Sequence, residues 1–241
     1  MQFMVIRRAG GGSESDAFPP GGLVDGVAGG RWLRPSAHGA RLRRTEDGWT
    51  LHEGPFPLDE LVAGFTIIEA PSKAAALEWA RGWHVADDEG DVELEVRETG
   101  CSGDCHSIDT GRAPSLTPYV VLLRSDETTE ADPVPPPEVI ERMNRCNAEG
   151  VAAGIVLAGA GLQPTSKGAR LKLRGGRAAV IDGPFTELKE LIAGYWLIQA
   201  ATRQQAVDWI EAYPFPLGPR MEVELREVAL RGVAMATAPA R

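Results

Sequence analysis

An internal repeat is the feature that most constrains what this chain can fold into, because the second half of the sequence resembles the first. Several blocks recur in the same order: 33–42 with 162–171, 53–56 with 182–185, 64–68 with 194–198, and 93–98 with 222–227. Separate blocks that recur in one order are hard to produce by chance. The sequence therefore predicts two diverged copies of one domain in tandem.

The length and composition fit this organisation. The chain has 241 residues with 43% hydrophobic and 24% charged residues, so each half is long enough to bury its own core. The predicted divisions follow the repeat and a stretch rich in Gly, Ser, Thr and Pro. They are a first domain at 1–98, a linker at 99–117, a second domain at 118–230 and a C-terminal tail at 231–241.

Charge and hydropathy exclude several classes of function. The net charge of −9 argues against direct nucleic-acid binding, which requires Lys and Arg side chains to neutralise phosphates. The start of the chain, residues 1–8, is too short and too soon charged for a signal peptide, and no apolar stretch approaches a membrane span. Three cysteines, an odd number, favour a reducing cytoplasm over a disulfide framework.

The order of predicted elements indicates an α+β fold. In the first copy, residues 3–8, 40–44, 48–53 and 65–70 have the composition and alternation of strands, and the most apolar, 65–70, is expected inside a sheet. A helix is predicted after Ser72 because serine is a favourable N-cap. Equivalent segments follow in the second copy, with Thr202 as the N-cap.

The last strand of each copy alternates between apolar and charged residues. In the first copy one face carries Val92, Leu94 and Val96, and the other carries Glu93, Glu95 and Arg97. This pattern predicts one face in the core and the other in solvent.

The copies differ at their first helix. Residues 138–149 have apolar residues near helical spacing, whereas residues 10–22 of the first copy are dominated by Gly, Ser and Pro. The first copy is therefore predicted to have lost most of this helix.

The second copy resembles the YCII-related, or DGPF-domain, family. The resemblance rests on D-G-P-F-T-E-L-K-E at 182–190, G-Y-W-L-I at 194–198, and the segments 119–123 and 161–164. It covers nearly all of 118–228 and is only partial in the first copy, which is therefore read as degenerate.

This resemblance implies tandem ferredoxin-like domains of the dimeric α/β-barrel superfamily. Each half would then form its own antiparallel sheet, and the two sheets would pack face to face as a pseudo-dimer within one chain. Members of that superfamily act on lactones and aromatic intermediates, whereas most DGPF proteins have no assigned activity, and some accompany sigma factors. YCII relatives carry a His–Asp pair with the His in the first helix, but residues 138–149 contain no His.

The turn at 182–190 supplies most of the candidate site residues. Asp182, followed by Gly and Pro at a strand end, is placed to act as a general base or ligand anchor, or else to cap the next backbone segment. Glu187, Lys189 and Glu190 follow it, either as ligand-binding groups or as a solvated loop.

Other residues complete the candidate set. Tyr195 and Arg170 are further candidate ligand contacts, although Tyr195 and Trp196 alternate along a strand, so at least one is expected in the core. Cys101, Cys105 and His106 form a cluster of metal-binding residue types, but zinc sites usually take four ligands in two pairs. Neither a metal nor a cofactor is expected.

The first copy has Glu53 in place of Asp182 and has no equivalent of Lys189. The site is therefore predicted in the second domain, with the first as its packing partner. The leading hypothesis is binding of a small polar or anionic metabolite near the turn, with acid–base catalysis by Asp182. The alternative is a non-catalytic ligand-sensing or protein-interaction module linked to a sigma factor. A homodimer is a further candidate assembly.

Overall fold

The computed structural model describes residues 1–10, 12–27, 29–83, 90–100, 108–109, 113, 115–132, 134–216 and 221–229. The residues Cys101, Cys105 and His106, most of the predicted linker, and the tail at 231–241 lie outside this described part of the chain.

The elements follow the predicted order in both halves. The first half contains β1 (Gln2–Arg8), α1 (Gly21–Gly26), β2 (Arg31–Trp32), β3 (Ala40–Thr45), β4 (Gly48–Glu53), β5 (Val62–Glu69), α2 (Lys73–Arg81) and β6 (Val92–Glu98). After β7 (Ile108–Asp109), the second contains β8 (Thr117–Arg124), α3 (Glu127–Glu130), α4 (Pro137–Ala152), β9 (Val156–Gly161), β10 (Ala169–Arg174), β11 (Arg177–Asp182), β12 (Ile192–Ala200), α5 (Arg203–Ala212) and β13 (Glu222–Glu227).

The local signals in the sequence place the helices correctly. Ser72 Oγ accepts a hydrogen bond from Ala75 N at 3.2 Å, and Thr202 Oγ1 accepts one from Gln205 N at 3.2 Å, so both predicted N-caps are confirmed. The predicted helix at 138–149 is α4. At the corresponding place the first half has only the six-residue α1.

Two antiparallel sheets pack face to face, as predicted. The first has the strand order β11-β10-β6-β1-β5-β2, and the second has the order β4-β3-β13-β8-β12-β9-β7. The apolar strands β5 and β12 are each flanked on both sides, as expected of interior strands. The fold is therefore α+β, with both sheets supplied by one chain.

The expectation that each half forms its own sheet is wrong for one hairpin per half. The hairpin β3–β4 of the first half pairs with β13, and the hairpin β10–β11 of the second half pairs with β6. Each sheet therefore contains strands from both halves. Because of this exchange, side chains from both halves meet in each sheet.

The described residues form three apolar cores. One lies between the second sheet and helices α4 and α5, and another lies between the first sheet and α2. The third lies between the sheets and contains the side chains of Ile6, Phe65, Leu122 and Tyr195. The rings of Phe65 and Tyr195 meet across this interface at 5.5 Å between centroids.

The prediction that the charged face of each last strand is exposed to solvent is wrong. Glu95 and Arg97 on β6, and Glu224 and Arg226 on β13, are each at most 1% exposed. Their faces are turned toward the opposite sheet, so the charged residues lie inside the molecule. Burial of such charges is tolerated because each is paired with an opposite charge.

Candidate functional site

The turn that begins at Asp182 follows the β10–β11 hairpin, and Asp182 contacts the first half of the chain. Asp182 ends β11, and its Oδ1 lies 3.0 Å from Nζ of Lys73, the first residue of α2. The Asp182 side chain is 72% exposed. At the matching position Glu53 ends β4 and accepts a hydrogen bond at 3.1 Å from Arg203, the first residue of α5.

The following residues hold the same turn in place. A Cβ added to Gly183 would overlap the carbonyl oxygen of Thr165, so only glycine fits there. Phe185 N donates to Thr165 Oγ1 at 3.2 Å, and the Phe185 ring covers the guanidinium of Arg170 at 4.2 Å. These contacts give the turn a structural role at the hairpin.

Arg41, on the other exchanged hairpin, joins a buried cluster of charges that we call the Arg41 cluster. It consists of Arg41, Arg124, Glu60, Glu222 and Glu224. Arg41 Nε lies 3.0 Å from the fully buried carboxylate of Glu224, and Arg41 Nη1 lies 2.5 Å from Glu60 Oε2. Arg124, at the end of β8, lies 3.5 Å from the carboxylate of Glu224 and 3.7 Å from that of Glu60.

The cluster keeps its two guanidinium groups charged. Burial by itself lowers the pKa of Arg41, but Glu224 and Glu60 outweigh this effect and raise it. Burial lowers the pKa of Arg124, and the attraction of Glu224 offsets only part of that change. The ordinary pKa of arginine is far above neutrality, so both groups remain cations.

A matching Arg170 cluster lies in the other sheet. It consists of Arg170, Arg8, Glu93, Glu95 and Glu190. Arg170 contacts Glu190 at 2.9 Å and Glu95 at 3.0 Å, and its Nη2, like that of Arg41, is buried without a hydrogen-bond partner among the described residues. Arg8 donates to the carbonyl oxygen of Glu190 at 2.6 Å.

A cavity of about 400 Å³ opens beside the Arg41 cluster, and we call it the interface cavity. Its lining residues come from both halves: Arg41, Arg43, Glu60, Arg124, Ser125, Asp126, Leu188, Lys189, Met221 and Glu222. Its size falls in the usual range for small-molecule sites, roughly 300–1,000 Å³. The cavity is therefore not confined to the second half, where the site was predicted.

Two polar atoms of the lining residues have no hydrogen-bond partner among the described residues. They are Arg41 Nη2 and Ser125 Oγ, and both are buried. Buried polar groups in proteins are almost always hydrogen-bonded, so an unsatisfied donor beside a cavity indicates a place for an acceptor. A guanidinium N–H and a hydroxyl together suit an anionic oxygen.

The cations at the rim of the cavity are also available. Neither Arg43 nor Lys189 forms an ion pair with a described residue. At the corresponding positions of the Arg170 cluster, Lys172 pairs with Glu93 at 3.3 Å, and Asp59 stands where the cavity has Lys189. Positive charge is therefore available at the interface cavity, whereas the matching side is neutralised.

The predicted site residues fall in different places. Lys189 lines the interface cavity, whereas Arg170 and Glu190 contact each other in the Arg170 cluster. Glu187 is exposed and begins the short turn at Leu188–Glu190. Tyr195 is 3% exposed within the core between the sheets, and Trp196 is buried on the opposite side.

Sequence reasoning missed the residues that form the cavity wall. Arg8 and Arg124 end the first strand of their halves, and Arg41 and Arg170 occupy matching places in the repeat. A basic residue at the end of the first apolar strand in both halves was the available signal.

Two kinds of feature are absent from the described residues. None of the described helices is both long and apolar enough to cross a membrane. Within the same residues, no group of three or more His, Cys, Asp or Glu side chains is arranged to hold a metal ion.

Comparison with known proteins gives two matches. An uncharacterized protein of Rhizobium meliloti (strain 1021) is 33% identical to this chain over 93 residues, which are 38% of this chain and 75% of that protein. Residues 117–228, which contain α4, the β10–β11 hairpin and the turn after Asp182, match the model of the YCII-related domain. Through this matched region, the chain belongs to the YCII-related family.

Proposed function

We propose that the protein binds a small anionic metabolite in the interface cavity. The observation that supports this most directly is the pair of buried, unpartnered polar atoms, Arg41 Nη2 and Ser125 Oγ, in residues of one cavity wall. Lys189 and Arg43 at the rim add positive charge that the cluster carboxylates do not neutralise. We expect an anion in the cavity to lie beside the residues that carry both sets of groups, with Lys189 and Arg43 near its more exposed end.

The asymmetry between the halves supports placing the ligand on this side of the molecule. Asp59 replaces Lys189 and Ala9 replaces Ser125 on the matching side, so a cation and a hydroxyl are both missing there. We propose that the halves arose by duplication and that the first is a degenerate copy. Its hairpin contributes Arg41 and Arg43 to the cavity, so it does more than pack against the second half.

Replacing Lys189 by Ala is expected to weaken binding of small carboxylates about tenfold, because a charge-assisted contact from an exposed side chain contributes roughly 1.5 kcal/mol, the low end for such contacts. Isothermal titration calorimetry with acetate, malonate, succinate, benzoate and inorganic phosphate measures the effect.

The matched control is Asp59→Ala, at the corresponding position on the other side, which is expected to leave affinity unchanged. Equal losses in the two variants, or no binding by the parent protein to any of these anions, would argue against the proposal.

Acid–base catalysis by Asp182 stays a prediction. Its carboxylate is exposed and paired with Lys73, and it is not among the residues that line the interface cavity. We therefore expect Asp182→Asn to leave anion affinity within about twofold of the parent value, since no contact with the ligand changes. A loss of binding comparable to that of Lys189→Ala would move the site to the turn at Asp182.

A non-catalytic role remains the second candidate. The cavity carboxylates of Glu60 and Glu222 approach guanidinium groups and Asp126 caps α3, so ion pairing and capping already occupy them. This arrangement favours ligand sensing over turnover. Loss of a panel carboxylate from solution on incubation with the protein, with a new product, would instead identify an enzyme. Sigma-factor association and homodimer formation are separate proposals, to be tested by co-purification and by sedimentation.

A further inference from the structure

The carboxylate of Glu60 occupies the space between the two buried guanidinium groups of the interface cavity. Its Oε2 lies 2.5 Å from Arg41 Nη1 and 3.7 Å from Arg124 Nη2, and its side chain is 14% exposed. Glu60 belongs to the cavity lining and to the three-residue turn at Leu58–Glu60. A carboxylate supplied by the protein thus already holds the place that best suits an anion.

The contacts around Glu60 allow this carboxylate to be replaced without breaking the cluster. Arg41 keeps Glu224 at 3.0 Å, and Arg124 keeps the same carboxylate at 3.5 Å. Arg124 also donates to the backbone carbonyl of Glu60 at 3.0 Å, which is independent of the Glu60 side chain. The turn can therefore stay anchored while its side chain moves.

We propose that the ligand is a carboxylic acid whose carboxylate takes the place of the Glu60 side chain between Arg41 and Arg124. This inference rests on the proposed function and adds the class of ligand and the residue that sets its affinity. A ligand carboxylate can make the same charge-assisted contacts to the two guanidinium groups that Glu60 Oε2 makes, so one carboxylate replaces another. Lys189 and Arg43 at the rim hold the ligand after the exchange, and Glu60 acts as a resident competitor.

Replacement of a protein carboxylate by a ligand carboxylate is not expected at the Arg170 cluster. Glu190 there contacts Arg170 at 2.9 Å, but the nearby Lys172 is already paired with Glu93. Asp59 beside it would repel an incoming anion. Glu190 therefore provides a control that has similar contacts but lacks free cations.

Replacing Glu60 by Ala in the full chain tests the inference. We expect the affinity for acetate and malonate to rise about tenfold or more over the parent protein, because the resident competitor is removed while the cations remain. We also expect acetate to restore much of the melting temperature lost on substitution, beyond the effect of chloride at matched ionic strength. Glu60→Gln, which keeps the side-chain shape, should show a smaller rise in affinity. Glu190→Ala should lose stability without gaining carboxylate affinity.

The outcomes separate this inference from the proposed function. If the parent protein binds carboxylates but both Glu60 variants bind them equally or more weakly, the inference is wrong and the proposed function stands. Preference of the Glu60 variants for inorganic phosphate over every carboxylate would overturn the ligand class. If neither the parent nor the variants bind any of these anions, both proposals fail.

Discussion

Replacing Glu95 by Gln is expected to lower the free energy of unfolding by about 3–5 kcal/mol, the usual cost of breaking a buried ion pair by removing one partner. The Glu95 side chain is 1% exposed and lies 2.9 Å from Arg97 Nη1 and 3.0 Å from Arg170 Nε. Glutamine has nearly the same shape but no charge, so it leaves two guanidinium groups undercompensated between the sheets. Urea denaturation at neutral pH measures the change as a lower transition midpoint with an unchanged slope.

The matched control is Glu93→Gln on the same strand and the same face. Glu93 is 26% exposed and pairs with Arg170 at 3.4 Å and Lys172 at 3.3 Å, so solvent screens its interactions. Its loss is expected to cost less than about 1 kcal/mol. If the Glu95→Gln protein is as stable as the Glu93→Gln protein, the buried Glu95 ion pairs do not contribute the predicted free energy of unfolding.

Glu95 also predicts how stability depends on pH. Burial by itself would raise the pKa of Glu95, but the charges of Arg97, Arg8 and Arg170 outweigh burial and hold the pKa below its usual value of 4.5. The ionised form is therefore favoured in the folded state. Its stabilisation is fully present above pH 4.5 and is lost as the pH falls through the lower, folded-state pKa. The Glu95→Gln protein should consequently lose less stability than the parent as the pH falls below 4.5, because it has no carboxylate to protonate at this position.

Replacing Gly183 by Ala is expected to destabilise the protein by about 3 kcal/mol or more. An added Cβ would overlap the carbonyl oxygen of Thr165, and a backbone atom of this kind is unable to move aside as a flexible side chain would. Relief of the overlap would shift the turn and weaken the hydrogen bond from Phe185 N to Thr165 Oγ1. The exchanged hairpin would then lose part of its attachment at Asp182 and Phe185. Urea denaturation and hydrogen exchange at the β10–β11 hairpin measure the two effects.

Two further glycine variants complete this test. Gly54→Ala makes the equivalent overlap with the carbonyl oxygen of Ser36 and is expected to have a similar cost. Gly12→Ala is the control, because no atom lies within 4 Å of an added Cβ there, and its effect should stay within about 0.5 kcal/mol. If the free energy of unfolding of the Gly183→Ala protein lies within about 1 kcal/mol of that of the Gly12→Ala protein, the turn accommodates a side chain and the prediction is wrong.

Local signals in the sequence were sufficient for most elements. The strand predictions at 3–8, 40–44 and 48–53 correspond to β1, β3 and β4, and the helix predicted at 138–149 lies within α4. These predictions were correct because alternation, helical spacing and N-caps depend on residues close together in the chain. The prediction of two sheets packed face to face came from the resemblance to the YCII-related family.

The burial of the charged strand faces could not be predicted from these local sequence signals. Alternation on β6 separated the apolar face from the charged face, but it contained no information that a second sheet would cover Glu95 and Arg97. A charged strand face is usually exposed, because burial is costly without a partner. Here the partner Arg170 comes from a strand in the other half of the chain.

By itself, the sequence determined the repeat pattern, the α+β class, the order of elements, the shorter first helix of the first half, and the presence of Lys189 in the second half only. Only the tertiary structure decided that the hairpins exchange, that Arg41 meets Arg124 and Glu60, and that Asp182 lies outside the interface cavity. The physical reason is the range of the interactions. Strand and helix propensities act between near neighbours, whereas the cavity is assembled from residues as far apart as Arg41 and Met221, brought together when two sheets pack.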